Sequence, residues 1–479
     1  MSSSDEDQNI SYDGDSSDSD VQMIEEYFDG KPLKPWEDLP PLTLEKIYSY
    51  LSRNDQCRMS LVCSKWAKEF SSPSVWRNVR FFLPEYEYNA EIYPEVKFAR
   101  RYGHMFRHIE IICKRVRTHL LGIIWKQLKF FLQCLTFTVH LNSVSFTNMG
   151  NYFRHLDDYI HDDIFRDIVN FLSAQRNLKT VKFFNSHFDN FEAAEILKAL
   201  CENNCGKLNC ILLKGFVRDS PVNQIENHEI DLSFMYDTLL NLYQFETDYS
   251  QIFERIIHAF SDRLDSLGWS RINNTKGVLT SIKMNCEGSR RAQFKGISSS
   301  IWKQMRKIFP QLKIDMHLNA GGHPQNAAEF FIRRDIPLRS LDFRHEKYHA
   351  PNDVDISFLF HHITASGSNK TLEELSIVWI FPSMNLASEI IPFLLECPKL
   401  KILQLYISRP VVNLPNIFNS WEQNRPKSLE TVYLTIANIQ DPEEASALSG
   451  IADDYAPLLQ VIGLNLFLIA EVEIRPLRR

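Results

Sequence analysis

The stretch LKILQL at residues 400–405 is one copy of a pattern that recurs along most of the chain. Its apolar residues stand at the first, fourth and sixth positions, so the alternate side chains of a short strand would face a core. The copies LRSLDF from Leu338, LEELSI from Leu372 and LETVYL from Leu429 share this pattern at spacings of 28 to 34 residues. This spacing predicts a fold built of repeated units.

Weaker copies extend the pattern in both directions. LQCLTF begins at Leu132, LKTVKF at Leu178, LTSIKM at Leu279, FPQLKI at Phe309 and LQVIGL at Leu459, and degenerate copies lie near residues 208 and 240. Helix-like runs separate the copies, for example ASEIIPFLLE at 387–396 and PNIFNSWEQ at 415–423. One strand and one helix per unit predict an α/β fold in which each unit is stabilised by its neighbours.

The strand–helix pattern resembles the leucine-rich-repeat family. The resemblance implies a horseshoe with its strands on the concave side, here a degenerate array over residues 105–470 followed by a C-terminal tail at 471–479. The chain departs from the family because Glu346 and Ser408 stand where a loop Asn is usual. The turns must therefore satisfy their backbone groups in another way. A plain α/β sheet domain is the alternative.

The side chains between the apolar strand residues would face outward on the concave side of a horseshoe. These side chains are Lys182, Lys283, Asp315, Asp342, Arg344, Ser376, Val378, Gln404, Tyr406, Tyr433, Thr435 and Asn465. Tyr and Arg are the residue types that often anchor interfaces. The predicted contacts with a target protein are Asp342, Arg344, Gln404, Tyr406 and Tyr433. A merely solvated sheet face is the alternative, and the rim loop at 319–326 is an equal candidate for binding.

Upstream of the array, residues 36–76 are crowded with large apolar side chains, in the stretch WEDLPPLTLEKIYSYLSRNDQCRMSLVCSKWAKEFSSPSVW. The prolines at 40 and 41 prevent a helix before about Leu42. Apolar residues at helical spacing, interrupted by SRND at 52–55 and SSPS at 71–74, then predict about three short helices. So small a bundle cannot bury all its apolar surface, and part of that surface must meet the next domain or a partner.

This stretch resembles the F-box family in several motifs at fixed spacing. The motifs are Leu39-Pro40, Ile47-Tyr48-Ser49-Tyr50-Leu51, Leu61-Val62-Cys63-Ser64-Lys65-Trp66 and a final Trp76. The family usually has Glu and an aliphatic residue where this chain has Leu42 and Thr43. Loss of that Glu would weaken the start of the first helix while leaving the apolar contact set intact.

The F-box resemblance implies a domain at 35–80 that binds a Skp-type adaptor and, through it, a cullin scaffold. The adaptor contacts that it implies are Leu39, Pro40, Ile47, Leu51, Val62, Cys63 and Trp66. Each of these residues could instead fill the core of the small bundle. The predicted function is therefore a non-catalytic substrate-recognition subunit of a Skp–cullin–F-box type ubiquitin ligase. The alternative is a repeat scaffold, or adaptor-binding protein, without ubiquitin ligase output.

The first 31 residues form an acidic segment rich in Ser and Asp. Residues 1–30 hold ten Asp or Glu and no Lys or Arg, and they offer too few apolar side chains to order themselves. We expect a disordered tail that either solubilises the protein or is phosphorylated at Ser2, Ser4 or Ser17, each followed by an acidic residue three places on. Residues 81–104, rich in Tyr, Glu and Pro, are predicted to be a linker or packing segment.

Charge and hydropathy disfavour several other classes of protein. Beyond residue 30 the chain has 50 acidic and 53 basic residues, which gives no electrostatic footprint for nucleic acid. The apolar run at 458–470 is too short to span a membrane, so no membrane partner is predicted. The absence of a secretory pattern and the odd count of nine Cys predict a reduced intracellular protein, cytoplasmic or nuclear or both.

The sequence gives little support to an enzyme or a metal site. Cys201, Cys205 and Cys210 have wider spacing than zinc ligands usually show, and they are more typical of packing thiols. No Gly-rich phosphate loop is present. We therefore predict no cofactor and no catalytic residue, and a metal-dependent hydrolase built on the three cysteines is a distant third hypothesis.

Overall fold

The computed structural model describes residues 36, 39–83, 94–113, 121–153, 155–218, 230–267, 276–345, 355–383, 386–411 and 414–472. The chain divides into two compact units, Met1–Trp76 and Arg77–Arg479. The predicted acidic tail at 1–31 lies outside the described residues, as do Glu346 and most of the predicted tail at 471–479.

The described part of the first unit contains four short helices. They are α1 (Pro41–Tyr50), α2 (Arg53–Ser60), α3 (Ser64–Phe70) and α4 (Pro73–Trp76). Helix α1 begins directly at Pro41 and has no acidic residue in its first turn, as the departure at Leu42 and Thr43 predicts. In α2 the hydroxyl of Ser52 accepts a hydrogen bond from the backbone N–H of Asp55 and so caps the helix.

The core of this bundle is small and includes polar groups. Its buried apolar residues are Leu44, Tyr48, Met59, Val75 and Trp76. The hydroxyl of Tyr48 donates to the carbonyl of Trp66 at 2.9 Å, and the buried amide of Gln56 donates to the carbonyl of Tyr48 at 2.7 Å. Burial raises the pKa of Tyr48 to about 12. These bonds tie α1 to α2 and α3 where few apolar contacts are available.

The second unit is built on a parallel sheet of thirteen described strands. They are β1 (Asn78–Leu83), β2 (His108–Cys113), β3 (Ser143–Thr147), β4 (Thr180–Phe184), β5 (Cys210–Lys214), β6 (Gln244–Asp248), β7 (Ser281–Glu287), β8 (Lys313–Asn319), β9 (Leu338–His345), β10 (Glu374–Ser383), β11 (Ile402–Val411), β12 (Thr431–Ile439) and β13 (Asn465–Val472). Their order in the sheet follows their order in the chain. In a doubly wound α/β sheet the strand order reverses at some point, whereas the order of these strands does not reverse. The predicted fold class, α/β with N-terminal helices and a horseshoe-like strand–helix repeat, is confirmed.

Helices connect the strands. They are α5 (Pro94–Tyr102), α6 (Leu121–Thr138), α7 (Gly150–Phe153), α8 (Asp158–Ala174), α9 (Asn190–Asn204), α10 (Met235–Asn241), α11 (Gln251–Leu267), α12 (Ser299–Ile308), α13 (Pro324–Phe331), α14 (Ser357–Ser366), α15 (Leu386–Leu395), α16 (Leu414–Gln423) and α17 (Pro442–Val461). Strand side chains alternate in burial, as at β1, where Val79 and Phe81 are buried while Arg80 and Phe82 are exposed. The helices therefore cover one face of the sheet. We call the other face the open face.

The array begins earlier than the sequence predicts. The first strand starts at Asn78 and pairs with β2, and the segment expected to be a linker at 81–104 contains the end of β1 and helix α5. The copy LQCLTF, expected to be a strand from Leu132, lies inside helix α6. Its apolar residues Leu132 and Leu135 are three apart, so the same pattern also fits one face of a helix.

The last copy has a shifted register. LQVIGL was expected to start a strand at Leu459, but Leu459 lies in the last turn of α17 and the strand starts at Asn465. Gly463, at a φ of +81°, donates its N–H to the carbonyl of Gln460 and ends the helix. In the sheet, Leu466 pairs with Val432 of β12.

Candidate functional site

The predicted adaptor contacts of the first unit all lie outside its core. Pro40 and Val62 are exposed, and Leu39, Ile47, Leu51, Cys63 and Trp66 are half-buried. Helix α1 and its C-terminal cap Leu51 show the division clearly, because Leu44 and Tyr48 are buried while Ile47 and Leu51 keep part of their surface in solvent. The bundle therefore leaves part of the surface of each of these seven residues exposed.

Further exposed apolar side chains lie in the same small unit. Leu42, Tyr50, Leu61 and Val62 are 79%, 76%, 85% and 61% exposed. Only Val62 was among the predicted contacts. Leu42, Tyr50 and Leu61 could have been predicted from the sequence, because they are large apolar residues at positions outside the helical stripe that forms the core. So much exposed apolar surface on one small bundle is typical of a protein-binding site.

The half-buried Trp66 is bonded to its neighbours through its indole N–H and its backbone carbonyl. Its indole N–H donates to the carbonyl of Trp36 at 3.3 Å, and its own carbonyl accepts from Tyr48. The indole is thus held in one orientation with part of its ring in solvent. A large aromatic side chain that is already ordered loses little conformational entropy on binding, which favours it as an interface anchor.

A comparison with protein families agrees with this geometry. A family model described as F-box-like matches residues 36–81, close to the predicted range of 35–80. The match supports the resemblance to the F-box family and covers all four helices of the first unit. F-box domains bind Skp-type adaptors, so residues 36–81 are similar to a domain whose expected partner is such an adaptor.

The predicted target contacts lie together on the open face of the second unit. Asp342, Ser376, Gln404 and Tyr433 are successive register partners on β9 to β12. Arg344, Val378, Tyr406 and Thr435 form the neighbouring row on the same strands. The five residues Asp342, Arg344, Gln404, Tyr406 and Tyr433 therefore occupy two adjacent rows, because parallel pairing without a slip keeps equivalent repeat positions side by side.

The β9 end of these rows is polar and internally bonded. The carboxylate of Asp342 lies 2.7 Å from Nδ1 of His317 and 3.1 Å from Nη2 of Arg344, and it accepts from the hydroxyl of Ser376 at 3.2 Å. Burial alone would raise the pKa of Asp342, but the hydrogen bonds from His317 and Arg344 outweigh it and the pKa is lowered. The sequence analysis did not include His317, although it stands at an outward position of β8, three residues after the FPQLKI copy.

The β13 end of the rows is aromatic and apolar. The rings of Tyr433 and Phe467 stack with centroids 5.0 Å apart and planes 13° apart. The hydroxyl of Tyr406 donates to the carboxylate of Glu471 at 3.0 Å. Phe467 and Ile469 are about half exposed, at 49% and 55%. They were missed because the register of the last copy was assigned four residues too early.

The three clustered cysteines do not converge. Cys201 is buried, donates its thiol to the sulfur of Met235, and has a pKa raised by burial to about 12. Cys205 is exposed and Cys210 is half-buried on β5. None of the nine cysteines forms a disulfide, and no group of three or more possible metal ligands occurs in the part of the chain that the structure describes. Nor is any helix described there long and apolar enough to cross a membrane.

A large cavity, of about 1290 Å³, lies at the carboxyl ends of β5 to β7. Two of the acidic groups in its wall serve the local structure. The carboxylate of Asp248 accepts from the backbone N–H of Gly215 and from the amide of Asn285, and Asp189 caps α9 by accepting from the N–H of Glu192 at 2.8 Å. These bonds hold the loops after the strands in place.

Proposed function

We propose that this protein is a substrate-recognition subunit of a Skp–cullin–F-box type ubiquitin ligase. The observation that carries the proposal is the F-box-like match at residues 36–81, on a bundle whose seven expected adaptor contacts all lie outside its core. A domain that leaves this much apolar surface exposed gains free energy when a partner covers it, at roughly 25 cal/mol per Å².

The open face of the array is the proposed site for the target protein. Its two rows offer a charged end at Asp342 and Arg344 and an aromatic end at Tyr406 and Tyr433, with Gln404 between them. Arg and Tyr side chains that are already held by hydrogen bonds or stacking present an ordered surface. This mixture of charge and apolar area suits a folded protein or an ordered loop of one.

In this proposal the chain is non-catalytic and needs no cofactor. It accelerates ubiquitin transfer by position, because a chain that binds the adaptor and cullin through one unit and the target through the other raises the effective concentration of the target near the transfer reaction. The proposal implies an intracellular protein, in the cytoplasm, the nucleus or both. Nine cysteines without a disulfide suit such a reducing compartment.

Affinity purification of the tagged full chain, with and without inhibition of the proteasome, tests the proposal. Recovery of a Skp-type adaptor together with a cullin, and of other proteins that accumulate only when the proteasome is inhibited, is the expected result. Recovery of the adaptor without a cullin would instead indicate a scaffold without ligase output. Recovery of neither would refute the assignment.

A further inference from the structure

A groove of about 520 Å³ lies at the amino ends of β8 and β10 to β12, among the loops that lead into those strands. Five basic side chains line it, from Lys313, Lys399, Lys401, Arg425 and Lys427. Two acidic side chains, of Glu373 and Glu430, also line it. The groove therefore carries an excess of three positive charges, in contrast to the mixed charges on the open face.

Part of this charge has a structural role. Lys313 pairs with Glu373 at 2.7 Å, and Lys401 lies 3.7 Å from Glu430. Arg425 donates to the carbonyl of Leu429 at 2.8 Å and also to that of Ile462, so its guanidinium is fixed in place. Within the described residues, Lys399 and Lys427 have no ion-pair partner, and both are exposed.

The two unpaired lysines do not serve as helix caps. Helix α15 ends at Leu395 and α16 at Gln423, so Lys399 and Lys427 each lie four residues beyond a helix end. The attraction of a helix dipole for a cation falls off within the last turn. The carbonyls beyond α15 also have other donors, since that of Glu396 accepts from Asn369 and that of Cys397 accepts from Ser428.

We propose that this basic groove binds an extended acidic segment of a partner protein. From β8 to β12 are four strand spacings, about 19 Å at roughly 4.8 Å each, which is the length of about six extended residues. Carboxylates at alternate positions of such a segment would meet Lys399, Lys427 and the fixed guanidinium of Arg425. Because Glu373 and Glu430 interrupt the positive charge, the groove favours a peptide over a continuous phosphate backbone.

Fluorescence anisotropy on the purified full chain tests this site independently of the adaptor and of ubiquitin transfer. The probe is a labelled eight-residue peptide of alternating Glu and Asp, and its control is the same peptide with Gln and Asn. We expect binding of the acidic peptide only, weakening as salt is raised because the attraction is electrostatic. The double variant Lys399→Glu with Lys427→Glu should weaken binding about tenfold or more.

A matched control makes the same change in net charge at two lysines outside the groove. Lys198 on α9 and Lys303 on α12 are exposed and do not line the groove, so Lys198→Glu with Lys303→Glu should leave peptide affinity within about twofold of the native value. Equal weakening by both double variants, or no weakening by the groove variant, would overturn the proposed site. Tighter binding of a labelled single-stranded oligonucleotide than of the peptide, lost in the groove variant, would overturn the proposed partner.

Discussion

The imidazole Nδ1 of His317 lies 2.7 Å from Oδ2 of Asp342 and so links β8 to β9 across the open face. The same carboxylate holds Arg344, one of the predicted target contacts. Asp342 is thus both a surface residue and the acceptor that orders its neighbours. It couples the shape of the proposed target site to the ionisation of a single carboxyl group.

The lowered pKa of Asp342 predicts a pH-dependent stability. A carboxyl group whose folded pKa is depressed contributes stability above its unfolded pKa, near 4, and that contribution is lost as pH falls through the folded pKa. We expect Asp342→Asn to cost about 1 kcal/mol at pH 7 and progressively less below pH 4. Urea denaturation of both proteins from pH 7 to about pH 2.5 measures the difference. A difference that stays constant over this range would contradict the role of the charge.

The adaptor face can be separated from the core of the first unit by substitution. Ile47 and Leu51 are half-buried, so Ile47→Ala with Leu51→Ala should leave the bundle folded but weaken adaptor binding about a hundredfold, the equivalent of roughly 3 kcal/mol. Titration calorimetry with a Skp-type adaptor measures this. Phe137→Ala with Tyr243→Ala removes two exposed apolar groups from the second unit and should leave adaptor affinity unchanged. Unchanged affinity in the first variant would remove Ile47 and Leu51 from the proposed interface.

The target face should be separable from adaptor binding. Arg344→Glu places a second carboxylate beside Asp342, and Tyr406→Ala removes the hydroxyl that bonds Glu471. We expect the combined variant to lose the proteins that the native chain captures under proteasome inhibition while still binding the adaptor. Arg and Tyr side chains that become buried on binding often contribute most of the interface energy. Quantitative proteomics provides the measurement. Arg263→Glu with Tyr159→Ala, on the exposed sides of α11 and α8, is the matched control, and equal target capture by both variants would exclude the open face.

Two glycines in the loops of the array should respond differently to a methyl group. A Cβ at Gly288 would lie 2.4 Å from the carbonyl oxygen of Ala320, whereas one at Gly322 would meet nothing within 4 Å. Gly288→Ala should therefore cost about 1–3 kcal/mol through overpacking against backbone that cannot move aside. Gly322→Ala should be nearly neutral. Thermal denaturation compares the two, and equal midpoints would show that the backbone at Ala320 yields more easily than its contacts indicate.

The sequence predicts the array best where the repeat is strongest. Strands β9 to β12 begin within two residues of the predicted copies at Leu338, Leu372, Leu400 and Leu429. The pattern misses β1 and β2, which lack its leading Leu. It also predicts a strand at Leu132, where the apolar spacing fits a helix as well as a strand. At the C-terminal end, the left-handed Gly463 rather than the apolar pattern determines where the helix stops.

The candidate sites could be predicted only in part for a similar reason. Periodicity places Leu44, Ile47, Tyr48 and Leu51 on one stripe of α1, but it does not reveal which of them the bundle buries. Which of these residues are buried depends on how α2 to α4 pack against α1, and this tertiary packing cannot be read from periodicity. The rows on the open face were predicted from strand alternation alone, whereas the pairing of Asp342 with His317 depends on the register between two repeats.

The chain-ordered sheet has a consequence for how the array forms. Described strands pair only with the strand of the preceding or following repeat, so every sheet contact closes a loop of about one repeat. Closing such short loops costs little conformational entropy, and contacts of this local kind favour fast folding despite the parallel sheet. The array can therefore fold repeat by repeat as the chain leaves the ribosome, because each new strand can pair with the edge strand of the repeats that have already folded.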